Sequence, residues 1–172
     1  MGSLRRMLIP PVFTTGYLFI KNRSLVSFRS EVELSPNLEL GRKVAISSYC
    51  IVKSKEGPLR IGDRTTVSSF GCLVSGEAGL SIGNDCLIGP GVTMIASNHV
   101  YAQKDVLMNQ QGFVSKGIVI EDNTWISAGC MILDGAHIGS GSIVTPNSVV
   151  GGRIPPYSIV SGNPAEVVFT RR

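Results

Sequence analysis

Between Ile118 and Val150 an aliphatic residue returns at every sixth position, as Ile120, Ile126, Ile132, Ile138, Val144 and Val150. A period of six fits neither the 3.6-residue turn of an α-helix nor a coiled-coil heptad, so no single helical face can collect these side chains. The pattern is an internal repeat. Four places on from each rung stands a small residue, Thr124, Cys130, Ala136, Ser142 and Ser148, and Gly135, Gly139 and Gly141 mark sharp turns between them.

The ladder recurs upstream as three triplets: Leu40, Ile46 and Val52; Ile61, Val67 and Leu73; Ile82, Ile88 and Met94. Each triplet reads as one 18-residue turn of a triangular coil, three short strands with the aliphatic residue inside and the small one packed beside it. Five such coils are predicted. The phase slips by three residues after Val52, by three after Leu73 and by a long excursion after Met94, always at the third corner. A corner is where extra chain leaves the stacking of layers undisturbed.

Composition narrows the picture. With 6% aromatic residues and 43% apolar ones, the core must be built from aliphatics and small residues in regular layers, and 172 residues suit one domain. The net charge of +4 comes without a basic cluster interleaved with stacking aromatics, which argues against nucleic acid and fits a phosphate-bearing ligand equally well. Cys50, Cys72, Cys86 and Cys130 form no CxxC pair and only His99 and His137 are present, so no metal site is expected. Cys50, Cys86 and Cys130 fall on the small inward position and read as core thiols in a reducing cytoplasm.

Ahead of the coils, Arg5 to Ile20 is apolar between basic flanks, too short to span a bilayer and interrupted by Pro10-Pro11. Residues 1–37 are expected to be a cap and lead-in, with weak membrane-surface contact as the sharper alternative. Leu34, six before Leu40, suggests an incomplete rung. The coils then occupy residues 38–168, a loop at 98–117 protrudes, and 169–172 form a tail.

The segments Ile82-Gly83-Asn84-Asp85-Cys86, Ile88-Gly89-Pro90-Gly91-Val92 and Asn123-Thr124-Trp125-Ile126, with the tail from Pro155 to Ala165, resemble the hexapeptide-repeat acyltransferases. The likeness is nearest to sugar O-acetyltransferases of the maltose, galactoside and polysaccharide-assembly types. It implies an all-β, left-handed parallel β-helix, acetyl-CoA as co-substrate, and a homotrimer whose sites lie between neighbours. It also implies that the histidine opening the long loop, in Ser97-Asn98-His99, is the catalytic base. Imidazole suits that task because its ordinary pKa lies near operating pH. Transfer is direct, with a polar group steadying the oxyanion and no covalent enzyme intermediate.

By the same resemblance Ser69 stands where those relatives place an acceptor-binding asparagine, and Asn98 and Tyr101 join it on the acceptor side. Trp125, Ala128, Gly129, Pro146, Arg153 and Asn163 fall on the coenzyme A side. The usual lysine near the nucleotide end is missing, leaving Arg153, Arg171 or Arg172 to meet the phosphates. His137 is expected to face solvent. Rival readings are an N-acetyltransferase acting on an amino- or nucleotide-sugar, and an inactive β-helix scaffold. A γ-type carbonic anhydrase would need three histidines per site, and two are present.

Overall fold

The computed structural model describes residues 11–172. The start of the N-terminal apolar stretch, with Arg5 and Arg6, lies outside the described residues. Helix α1 (Pro11–Asn22) precedes the first coil, which is β1 (Leu25–Val26), β2 (Glu31–Val32) and β3 (Leu38–Leu40). The second is β4 (Ala45–Ile46), β5 (Ile51–Ser54) and β6 (Leu59–Ile61), and the third is β7 (Thr66–Val67), β8 (Cys72–Ser75) and β9 (Leu80–Ile82). In the fourth, β10 (Leu87–Ile88) and β11 (Thr93–Ile95) are parted from β14 (Ile118–Ile120) by an arm that carries β12 (Asn98–His99) and β13 (Phe113–Val114). The fifth coil is β15 (Trp125–Ile126), β16 (Met131–Ile132) and β17 (His137–Ile138), and the sixth is β18 (Ile143–Val144), β19 (Val149–Val150) and β20 (Arg153–Ile154). Strand β21 (Ser158–Gly162) begins a seventh layer, and β22 (Ala165–Thr170) folds back antiparallel on it.

Every third coil strand stacks in parallel on its counterpart one layer away, giving three faces. The first runs β1-β4-β7-β10-β15-β18-β21, the second β2-β5-β8-β11-β16-β19 and the third β3-β6-β9-β14-β17-β20. This is a left-handed parallel β-helix. Its rungs fill the prism: Ile46, Val67, Ile88, Ile126 and Val144 on the first face are at most 2% exposed. The small inward residues Thr124, Cys130, Ala136, Ser142 and Ser148 are buried beside them, as are Cys50 and Cys86.

Six full coils are present rather than five. The additional one uses Val26 and Val32, which align with Ile46 and Val52, so the prism begins inside the stretch expected to be lead-in. Two spare residues between Val32 and Leu40 hid it by breaking the period. Leu34 is no rung, since it sits in that corner and is 39% exposed. At the other end, the expected tail at 169–172 is partly strand, because β22 extends through Thr170. The corner insertions fall where the phase slips place them, between the second and third faces, after β5, β8 and β11.

The corner between the third and first faces turns on residues with positive φ, among them Lys43, Arg64, Asp85 and Asn123 at 55–59°. Each costs backbone strain, since they are not glycines. A side-chain ladder offsets it. Asp63 Oδ1 accepts the Arg42 amide, Asn84 Oδ1 the Asp63 amide and Asp122 Oδ1 the Asn84 amide, all at 2.8 Å. These oxygens satisfy corner N–H groups that the strand ladders leave over.

Candidate functional site

The long excursion is an ordered arm. Strands β12 and β13 pair antiparallel, with His99 opposite Phe113 and Asn98 opposite Val114. Its tip is braced by one side-chain amide: Gln111 accepts the Gln103 N–H (3.0 Å) and donates to the carbonyls of Gln103 (2.9 Å) and Val106 (2.8 Å). At its root, Ser115 Oγ donates to the Ala96 carbonyl (2.6 Å) and accepts the Ala78 N–H (3.1 Å), tying the arm to the coil below. Gly76 is required there, because a Cβ would lie 2.1 Å from the Ala96 oxygen. On the return side, Asp134 accepts the amides of Lys116 and Gly117 at 2.8–3.0 Å.

His99 is therefore held on a ribbon and exposed to solvent. Its ring lies against that of Phe113, centroids 4.2 Å apart and planes tilted by 41°. Tyr101 follows at 75% exposure and Asn98 is exposed beside the histidine.

Ser69, Ala128, Gly129 and Pro146 line a different edge, the corner between the first and second faces, stacked layer on layer. The Gly91 amide donates to the Ser69 carbonyl (3.0 Å), the Gly129 amide to Pro90 (2.9 Å) and the Asn147 amide to Ala128 (3.0 Å). Gly129 has φ +69°, and a Cβ would lie 2.3 Å from Asn147 Oδ1, so the corner is flat at this layer, whereas Tyr49 and Phe70 project from the same corner in the second and third coils as stacked rings 5.3 Å apart. Trp125, 49% exposed, stands on the first face in register between Leu87 and Ile143. Asn163 belongs to the turn joining β21 and β22, next to the Gly162 amide that donates to Ser148 Oγ (3.2 Å). Four of the six residues expected on the coenzyme side, Ala128, Gly129, Pro146 and Asn163, thus follow one edge, and Trp125 stands on the first face that leads into it. Arg153 does not: it lies on the third face in register with His137. Arg171 donates to the Gly141 carbonyl at the corner between the third and first faces.

His137 stands at an outward position, as expected, but half-buried and with a partner. Its Nε2 lies 2.7 Å from Glu121 Oε1, and it is 31% exposed. Glu121 Oε2 accepts the Ser140 amide (2.9 Å). The His137 hydrogen bond first, and this amide second, hold the Glu121 carboxyl below the usual carboxylate range. Sequence reading missed Glu121 because its partner is a whole coil away; it likewise missed Phe113, Gln111 and Ser115, which lie in an arm without periodicity.

The outward columns differ in character. Leu25, Leu87, Trp125 and Ile143 on the first face and Ile51, Cys72, Met131 and Val149 on the second are mostly apolar. The third presents Glu39, Arg60, Ser81, His137 and Arg153. Among the described residues, no three His, Cys, Asp or Glu side chains gather as a metal site.

Residues 117–152 match the family described as bacterial transferase hexapeptide (six repeats). A curated relative named probable acetyltransferase, from Mycobacterium tuberculosis, is 29% identical over 163 residues, 95% of this chain and 53% of its own. The chain thus spans about half the length of that relative. The solved hexapeptide-repeat containing acetyltransferase of Vibrio cholerae is 31% identical, covering 74% of this chain and 73% of its own, with a TM-score of 0.60. That protein has also been solved in complex with acetyl coenzyme A. The polySia specific acetyltransferase NeuO is 25% identical over 78% of this chain and 65% of its own, with a TM-score of 0.58. AntD, an N-acyltransferase from Bacillus cereus solved with dTDP and coenzyme A, shares 18% identity over 91% of this chain and 88% of its own. Its TM-score of 0.79 speaks to the fold.

Proposed function

Because this chain belongs to the hexapeptide-repeat acyltransferases, we propose that it is an acetyl-CoA-dependent O-acetyltransferase acting on a hydroxyl of a sugar or polysaccharide precursor in the cytoplasm. The observation that carries this reading is His99, exposed on a braced ribbon that leaves the prism at its fourth coil. An exposed imidazole on a stiff support is a suitable general base, since it can meet a bound hydroxyl without rearranging. His99 takes the hydroxyl proton as the oxygen forms its bond to the acetyl carbon; the thioester C–S bond breaks and the proton passes to the departing thiolate. Phe113 fixes the plane of the ring.

Acetyl-CoA fits the flat edge of Ala128, Gly129 and Pro146, where no bulky side chain obstructs a long polar arm and Trp125 offers an aromatic wall. Asn163 extends that edge toward the last layer. Arg153, on the third face, would reach the phosphates only from a neighbouring copy.

His99 and the Ser69 edge leave the prism at different corners, so one chain does not assemble the site alone. The apolar columns of the first and second faces supply surfaces for association, and a homotrimer places the arm of one subunit beside the edge of the next. Asn98, Tyr101 and Ser69 then border the acceptor. The NeuO likeness, at an identity above that of AntD, supports a glycan acceptor.

The test combines titration with acetyl-CoA and a mass-spectrometric screen of hydroxyl and amino sugars, using wild type and His99→Ala. Wild type gains one acetyl group on a hydroxyl acceptor. The variant binds acetyl-CoA unchanged and transfers about 10² to 10⁴ times more slowly. Undiminished transfer by the variant would refute the base. Transfer to amines alone would establish the N-acetyl reading, and no binding at millimolar ligand would leave a scaffold.

A further inference from the structure

Helix α1 sits on the prism with its polar side inward. Successive helical residues turn by about 100°, which puts Val12, Phe13, Tyr17, Phe19 and Ile20 on one half of the cylinder. These five are 67%, 69%, 51%, 53% and 85% exposed. The other half carries Thr14, Thr15, Leu18 and Asn22; of these Leu18 is buried, and Asn22 donates to the Leu40 carbonyl. A globular cap would turn its apolar half to the core. Here Val12, Phe13 and Ile20 face away, and Tyr17 and Phe19 flank the contact, each bordering a cleft against the coils.

Beside the end of this helix lies a cleft of about 530 Å³ lined by Lys21, Arg23, Arg42, Lys43 and Arg64, with Asp63 as the carboxylate among them. The cations gather because Arg23, Lys43 and Arg64 hold the same positive-φ corner position in successive layers. Arg42 and Arg64 are matched, to Asp63 at 3.3 Å and to Asp85 at 2.6 Å. Lys21, Arg23 and Lys43 enter no ion pair among the described residues; Lys21 lies over the Tyr17 ring at 5.6 Å. Of the acidic residues at this end, Glu31 and Glu39 stand on the second and third faces, paired with Lys53 and Arg60, and Glu33 lies in the corner between those faces.

We propose that this end of the molecule docks on an anionic phospholipid bilayer, with α1 lying in the interface. The helix has 12 residues and so measures about 18 Å, too short for a hydrocarbon core of about 30 Å. Its apolar half enters the headgroup and acyl boundary, while Lys21, Arg23 and Lys43 meet lipid phosphates. Tyr17 and the Lys21 stem mark the water boundary, where aromatic and long cationic side chains are at ease. Apolar insertion and charge attraction act together, which is what stable surface binding requires. This inference stands independently of acetyl transfer.

The experiment is co-sedimentation of the full chain with vesicles of phosphatidylcholine alone and with about a third phosphatidylglycerol, at low salt and in about 0.5 M NaCl. Wild type partitions onto the anionic vesicles at least about tenfold better than onto neutral ones, and salt removes the preference. Replacing Arg23→Gln and Lys43→Gln together lowers partition roughly thirtyfold, about fivefold for each charge. Phe13→Ser with Ile20→Ser lowers it at every salt concentration. Circular dichroism confirms that the charge variant is folded. Equal wild-type binding to both vesicle types, or unchanged binding by either pair of substitutions, would overturn the proposal. So would a loss of oligomeric mass in the lipid-free Phe13→Ser/Ile20→Ser protein, which would make the face an interface between copies.

Discussion

Replacing Ile126 by alanine is the sharpest probe of the prism. The side chain is fully buried on the first face, in register between Ile88 below and Val144 above. Truncation removes three carbon atoms, about 2.4 kcal/mol of transfer free energy at about 0.8 per buried methylene. The void adds to that cost, because the layers cannot close over it. The Ile126 carbonyl accepts the Gly89 amide at 2.8 Å, and the Trp125 and Ser127 amides donate upward at 2.9 and 3.0 Å. With spacing fixed by these ladders, the loss should fall at about 3–5 kcal/mol, the upper part of the range for such truncations. Urea unfolding at fixed protein concentration measures it. The fluorescence of Trp125, the lone tryptophan and the residue before Ile126 in the strand, reports the transition. Val119→Ala, at an outward position 40% exposed on the polar third face, serves as control and should cost under about 1 kcal/mol. If Ile126→Ala costs no more than this control, the six-residue ladder does not carry the core.

Two further substitutions test the corners and the third face. Asp122→Ala deprives the Asn84 amide of its 2.8 Å acceptor and should lower stability by about 1 kcal/mol in thermal melts, whereas Asp122→Asn should retain most of it; equal losses would show that charge and not the acceptor matters. The Glu121 carboxyl is held below its ordinary value by His137 and then by the Ser140 amide. The stability it contributes is present above the unfolded carboxylate pKa of about 4.3 and lost as pH falls through the lower folded value. With Glu121 38% exposed, that contribution stays under about 1 kcal/mol. Glu121→Gln should flatten the acid limb of urea midpoints measured between about pH 5 and 3, and an unchanged limb would contradict the assignment.

Much of this architecture is legible in one dimension because a coiled prism is nearly one-dimensional. Each layer contacts only its neighbours, so a rung such as Ile126 needs partners only one turn away in sequence. Where the period holds, from Ile118 to Val150, every expected rung is buried. Where corners vary in length, as between Val32 and Leu40, the period conceals a coil. The candidate site was legible to the extent that it sits on the period: Ala128, Gly129 and Pro146 share one edge because they share one phase. Arg153 is outside that group because it follows Val150, a second-face rung, and lies in the third-face strand, whereas the edge residues follow the first-face rungs Ile126 and Val144. The arm has no period at all, and its ribbon, its Gln111 brace and the Phe113 ring against His99 could not be foreseen.

By itself, then, the sequence determined a stack of short parallel strands with an aliphatic interior, since only a coil turning every 18 residues buries a side chain at every sixth position. Folding decided what the intervening residues do. A carboxyl and an imidazole 16 residues apart became a hydrogen-bonded pair, and a helix came to rest with apolar side chains outward. Those outcomes depend on which residues face one another across layers and corners, and a distance through space is set by the whole path of the chain.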